Sequence, residues 1–223
     1  MRSAPKGWEN LARLAGSSDR ILLIGFGNPK LKSLIGKSLA EVVKMRGTSV
    51  EDTMIDLVIE DGTRVGTAYF LMSEDNVRKQ VKLPYMAFGS DAEAPTTEGA
   101  FLLSNSHPRA YGNVARLLGR YVREEKLISL GEAVRRLTSL PATNLKLRKR
   151  GQLVRGYFAD VVIFDPATVG DRATFDKPHQ YPVGMEQVFV NGIQVLTDGE
   201  PTGKAAGRVV RGPGWTGWKD AKP

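Results

Sequence analysis

The spacing of apolar and polar residues changes once along the chain, near residue 150. Before that point, RILLIGF (20–26) is an unbroken apolar run, the pattern of a strand covered on both faces. Three amphipathic stretches open on a serine with an acid three residues on: Ser38 with Glu41, Ser49 with Asp52, and Ser129 with Glu132. At that spacing the hydroxyl accepts a free backbone N–H and the acid reaches back to the serine's own, so three helix starts are predicted. In the second helix, VEDTMIDLVIED, one face carries Val50, Met54, Leu57 and Val58, and Asp61-Gly62 ends it. RVGTAYFLM (64–72) reads as a strand, SEDNVRKQVKL (73–83) as a short helix and YMAFG (85–89) as another strand. An irregular loop over 91–108 leads to NVARLLGRYVREE (113–125), where Val114, Leu117, Leu118 and Tyr121 recur at helical spacing. Such alternation predicts an α/β fold built of parallel βα units.

Past residue 150 the segments shorten. ADVVIFD (159–165), QVFVNGIQVL (187–196) and GRVVRG (207–212) read as strands, and the Asn-Gly pair at 191–192 predicts a hairpin. Two domains follow from this change of texture, 1–150 and 151–223. The closing Trp215 and Trp218 read as a docking or frayed end.

Composition narrows the function classes. With 41% hydrophobic and 25% charged residues in 223, the chain is an ordinary globular sequence with room for a sizeable core. No apolar run reaches the roughly 18–20 residues of a membrane span, and the N-terminus has no signal-peptide core. The absence of cysteine excludes disulfides and thiolate ligands and fits a cytoplasmic protein. A net charge of +8 raises the question of nucleic acid. The densest basic stretch, LKLRKRG (145–151), has no interleaved aromatics and reads as a solvated loop, so no nucleic-acid partner is expected.

One carboxylate stands out. Asp91 follows Gly-Ser at the end of the predicted strand YMAFG, a position that suits either a turn cap or an acid aimed into a site. His107, Arg109 and Tyr111 lie in the following loop, and Ser73 and Glu74 follow the preceding strand. His179, in KPHQYPVG, reads as a packing residue.

These segments occur in an order that resembles the C-terminal portion of the N-acyl-D-amino-acid deacylases (D-aminoacylases) of the amidohydrolase superfamily. The stretches that carry the resemblance are GKSLAEV (36–42), FLMSEDNV (70–77), GSD (89–91), HPRAYG (107–112), LTSLPA (137–142), GYFADVVIFDP (156–166), KPHQYP (177–182), VNG (190–192) and GRVVRGPG (207–214). The resemblance implies the last units of a metal-dependent (β/α)8 TIM barrel over 1–150, followed by the C-terminal strands of a small β-sandwich over 151–223. It implies that Asp91 shuttles a proton between water and the leaving amine, and it prefers that role over a cap. It further implies an N-acyl-D-amino acid as small-molecule substrate. Arg109 is the candidate for its carboxylate, or for holding the loop that binds it, with Tyr111 and His107 beside it.

The departure is in the metal. The complete enzyme is expected to use zinc, and a catalytic zinc needs about three protein ligands. Two histidines outside the family's ligand motifs and no cysteine do not supply them, so no metal ligand is assigned within this chain. The expectation is therefore a truncated or split enzyme that is inactive alone and completed by an N-terminal half. The alternatives are a metal-free interaction module, or a fragment of another amidohydrolase of dihydroorotase-like or dipeptidase-like type.

Overall fold

A computed structural model describes residues 7, 9–103 and 106–215; Trp218 lies outside them. The chain divides into two compact units, each assembled from separated segments. The first comprises residues 1–76, 92–111 and 173–180, and the second 77–91, 112–172 and 181–223.

In the first unit, helix α1 (Leu11–Ala15) precedes strand β1 (Ile21–Gly25), helices α2 (Leu39–Arg46) and α3 (Val50–Asp61), and strand β2 (Gly66–Tyr69). β1 and β2 pair antiparallel, with Leu23 opposite Thr67, and so correct the parallel arrangement expected from the sequence. A single helix between two strands returns the chain for a parallel pairing. Two consecutive helices, α2 and α3, intervene here, so the chain comes back running the other way. The pairing also explains why β1 is not covered on both faces: Ile21 and Leu23 are buried while their neighbours are only partly so.

Leu23, Leu39, Val42 and Leu57 form the centre of this unit's core, with Val50 and Met54 packed against it. Val58, expected on the same face, is 52% exposed. Thr53 and Asp61 turn inward in its place. Asp61 accepts a 2.8 Å hydrogen bond from the Asn28 N–H and another from the Thr63 hydroxyl. Those bonds hold its carboxyl below the usual range and tie the loop after β1 to the end of α3. The Ser38 capping box forms in full. Ser49 and Ser129 cap their helices, but their acids do otherwise: Asp52 accepts from the Ser49 hydroxyl, and Glu132 pairs with Arg135.

Helix α4 (Glu74–Val81) and helix α5 (Arg109–Arg116) carry the chain on toward the second unit. α5 begins four residues earlier than its apolar spacing indicates, and it widens into a π-helix over Leu117–Glu124. Leu117, Leu118 and Tyr121 are buried, as their spacing predicts, and Val114 is exposed. Two glycines let this helix approach the 169–171 segment closely. A Cβ on Gly112 would lie 2.6 Å from the Cβ of Asp171, and one on Gly119 2.6 Å from the carbonyl oxygen of Val169. Arg116 reinforces the contact at 2.9 Å from the Asp171 carboxylate.

Helices α6 (Leu130–Leu137) and α7 (Ser139–Asn144) follow, then an antiparallel sheet of β3 (Val161–Phe164), β4 (Met185–Val190), β5 (Ile193–Thr197) and β6 (Glu200–Pro201), in that order. The Asn-Gly hairpin is present between β4 and β5, with both turn residues at positive φ. GRVVRG (207–212) is not a strand; it is β6 that pairs along the outer edge of β5. Nor is the basic stretch wholly solvated: the Arg150 guanidinium lies 4.3 Å from the Phe158 ring centre and pairs with Asp160. Among the described residues no helix is long and apolar enough to cross a membrane.

Candidate active site

Asp91 closes the 77–91 segment of the second unit. It is exposed and takes φ 47°, the left-handed region that few residues other than glycine, asparagine and aspartate enter. The strand expected over 85–89 does not form. Its backbone is held by two neighbouring arginines of α6 in place of a sheet ladder. Arg135 Nη2 donates to the Pro84 carbonyl at 2.7 Å, Arg136 Nε to that of Met86 at 2.6 Å, and Arg136 Nη1 to that of Val81. The Arg136 guanidinium also faces the Phe88 ring at 4.2 Å.

Sequence reasoning missed Arg136, because nothing in the local pattern of GEAVRRLTSL distinguishes an inward arginine from a surface one. Its side chain is 0% exposed and is the largest wholly buried one among the described residues. Glu132, the nearest acid along the helix, is engaged by Arg135 at 2.8 Å. Arg136 Nη2 has no hydrogen-bond partner among the described residues. Burial lowers the pKa of the group from its ordinary value.

A second cluster centres on Glu125. Glu125 accepts from Arg78 at 2.7 Å and from Arg120 at 2.9 Å, and these two bonds pull its carboxyl down to about 2. Arg78, on α4, is thereby joined to the end of the π-helix.

The remaining candidates belong to the first unit. His107 packs its ring edge-on against Phe175, with centroids 5.0 Å apart, and its Nδ1 accepts the Arg109 N–H at 3.1 Å. An acceptor Nδ1 requires the neutral imidazole. Desolvation, with the charge of Arg109 as the smaller cause, lowers the His107 pKa and favours that form. Tyr111 donates its hydroxyl to the Thr96 carbonyl at 3.0 Å and meets His179 edge-on at 5.8 Å. His107 and Tyr111 thus hold the start of α5, while the side chain of Arg109 is exposed. His179 is a packing residue, as the sequence suggested, but it packs in the first unit rather than with the β region.

The donor set does not fit a zinc ion. Among the described residues no three His, Cys, Asp or Glu side chains come together to hold a metal, and both histidines are turned to aromatic rings.

Residues 72–196, more than half the chain, match the profile of an amidohydrolase family. The chain is 39% identical over 206 residues to a D-aminoacylase of Alcaligenes xylosoxydans xylosoxydans, covering 88% of this chain and 40% of that protein. It superposes on a crystal structure of D-aminoacylase with a TM-score of 0.70 and 36% identity, over 88% of this chain and 38% of the other. An N-acyl-D-glutamate deacylase from Bordetella bronchiseptica, solved with zinc and a phosphonate that mimics the tetrahedral intermediate, aligns with a TM-score of 0.66 and 37% identity, over 85% and 38% of the two chains. The chain thus spans about 40% of the length of the curated relative it matches. On this similarity, the chain belongs to the amidohydrolase family.

Proposed function

We propose that this chain is the C-terminal part of an N-acyl-D-amino-acid deacylase and carries its proton-transfer residue, Asp91. In this reading the α/β stretch contributes late units of a (β/α)8 barrel, and the four-stranded sheet contributes the C-terminal share of a small β-sandwich. The observation that carries it is Asp91 itself, an exposed carboxylate held in a left-handed conformation within the stretch that matches the family. Backbone conformations of this kind are retained where the surrounding structure fixes them.

The chemistry asked of Asp91 is modest. As water attacks the amide carbonyl, the carboxylate accepts the water's proton and then donates it to the departing nitrogen, which leaves as the free amine of a D-amino acid. Arg109 would meet the substrate's α-carboxylate with its planar fork, while His107 and Tyr111 hold the loop and helix start that present it. Zinc would polarise the carbonyl in the complete enzyme, as a Lewis acid does. Its ligands are sought outside the described residues, since those present do not fit it.

The test is a chimera in which this chain replaces the matched stretch of the Alcaligenes D-aminoacylase. Hydrolysis of N-acetylated D-amino acids by the chimera, with kcat reduced about 10²–10⁴-fold by Asp91→Asn, is the expected result. Arg109→Ala should raise KM about tenfold or more with a smaller effect on kcat. An Asp91→Asn chimera as active as its parent would end the proposal. The free chain should bind no stoichiometric zinc and show no turnover.

A further inference from the structure

Arg136 presents a puzzle of energetics. A guanidinium withdrawn from water loses its hydration, and a leucine or methionine would fill the same volume without that cost. No carboxylate pairs with it directly among the described residues: Glu132, whose charge acts on it from a distance, is engaged by Arg135, and Nη2 is unmatched. What the charge does gain is a grip on backbone. Met86 and Val81 give their carbonyls to it, Phe88 gives its ring face, and Arg135 adds Pro84. Pro84, Met86 and Phe88 lie in the run that leads to Asp91, and Val81 ends the helix before it; that run has no strand partner to hold it.

We propose that Arg136 is a positioning residue for Asp91, fixing the 84–88 run from which the carboxylate is presented. This rests on the reading of Asp91 as the proton carrier. A fork is needed because the two carbonyls lie five residues apart in sequence and must be held by one rigid planar group; an ammonium has no such geometry. The Phe88 face holds the guanidinium plane from the side. Displacing a reacting group by about 1 Å costs as much as 10²-fold in rate, so a side chain that never touches substrate can set kcat through this run.

The experiment uses Arg136→Lys and Arg136→Met with two readouts. In the full chain, backbone amide order parameters report on residues 85–91, with the β3–β6 sheet as internal reference. Both variants should lower the values for 85–91 from the rigid range near 0.85 toward or below about 0.6, the methionine more than the lysine, while the sheet is unchanged. In the chimera described above, Arg136→Lys should lower kcat about 10–100-fold and leave KM within about twofold. Should Arg136→Met fail to fold, the lysine variant, which keeps the charge and most of the volume, decides. Unchanged order parameters over 85–91 would overturn the proposal. So would a loosened run with undiminished kcat in a chimera that Asp91→Asn does inactivate. If Asp91→Asn is itself silent, the proton-carrier reading fails and the catalytic part of this inference fails with it, while the order parameters still decide whether Arg136 holds the run.

Discussion

Asn191 and Asp91 are both non-glycine residues in the left-handed region, at φ 51° and 47°, and the chain supports them in opposite ways. Asn191 is held by its neighbourhood in sequence. Gly192 follows at φ 81°, the two strands on either side pair with each other, and the turn twists with them. Side-chain bonds then add to it, from Arg150 at 2.6 Å to the Asn191 amide oxygen and from the Asn191 amide to the Ala206 carbonyl at 2.8 Å. Asp91 has no ladder before it. The run ahead of it is held by residues some fifty positions further along the chain. The first arrangement sets itself up as soon as the hairpin closes, whereas the second exists only once α6 has docked.

Mutations should separate the two. The largest loss of stability is expected for Phe88→Ala, about 2–3 kcal/mol in urea denaturation, because it removes both the face under Arg136 and apolar contact with the cluster of Val81, Leu117 and Tyr121. Asn191→Ala should cost about 2 kcal/mol, the sum of a Cβ residue without aspartate-like tolerance at positive φ and the lost side-chain bonds. Asn191→Gly, which keeps the conformation and loses only the bonds, should cost about half of that. A hairpin indifferent to both substitutions would mean that its turn is held by the strands alone. The subtlest effect is a dependence on pH. Glu125, ordinarily near 4.5 and here about 2, binds a proton more readily in the unfolded chain. Its contribution is therefore present above about pH 4.5 and is lost as pH falls toward about 2. Glu125→Gln should flatten that part of the acid unfolding curve, and an unchanged curve would show that Arg78 and Arg120 do not hold it in solution.

What could be read from the sequence follows the same division. The N-G hairpin, the serine caps of α2, α3 and α6, the Gly62 stop and the buried Leu117, Leu118 and Tyr121 all rest on signals within a few residues of the feature. The strand expected at 85–89 was plausible locally and wrong: Arg136 takes the Met86 carbonyl and Arg135 that of Pro84 just before it, and the local pattern does not connect either arginine to the stretch. The parallel pairing failed for a topological reason: the two helices read at Ser38 and Ser49 bring the chain back antiparallel, which the general alternation of strands and helices did not take into account. Asp91, Arg109, Tyr111 and His107 were singled out by motif, and for His107 and Tyr111 the structure adds the contacts that the motif leaves out. Arg136 was invisible, since its burial is a property of the assembled unit.

The four-stranded sheet has unequal edges. Its β6 side is two residues long and ends in Pro201 beside the charge of Glu200, whereas β3 pairs with β4 alone among the described residues and carries Val162 and Ile163, 54% and 43% exposed. Proline and charge are what blunts an edge against further pairing. A sheet open on one side and closed on the other can meet its own kind only open edge to open edge, and that meeting uses up the open edge of both. Self-association by this route ends at a pair, so whatever hazard the β3 edge brings, it does not extend to a growing filament.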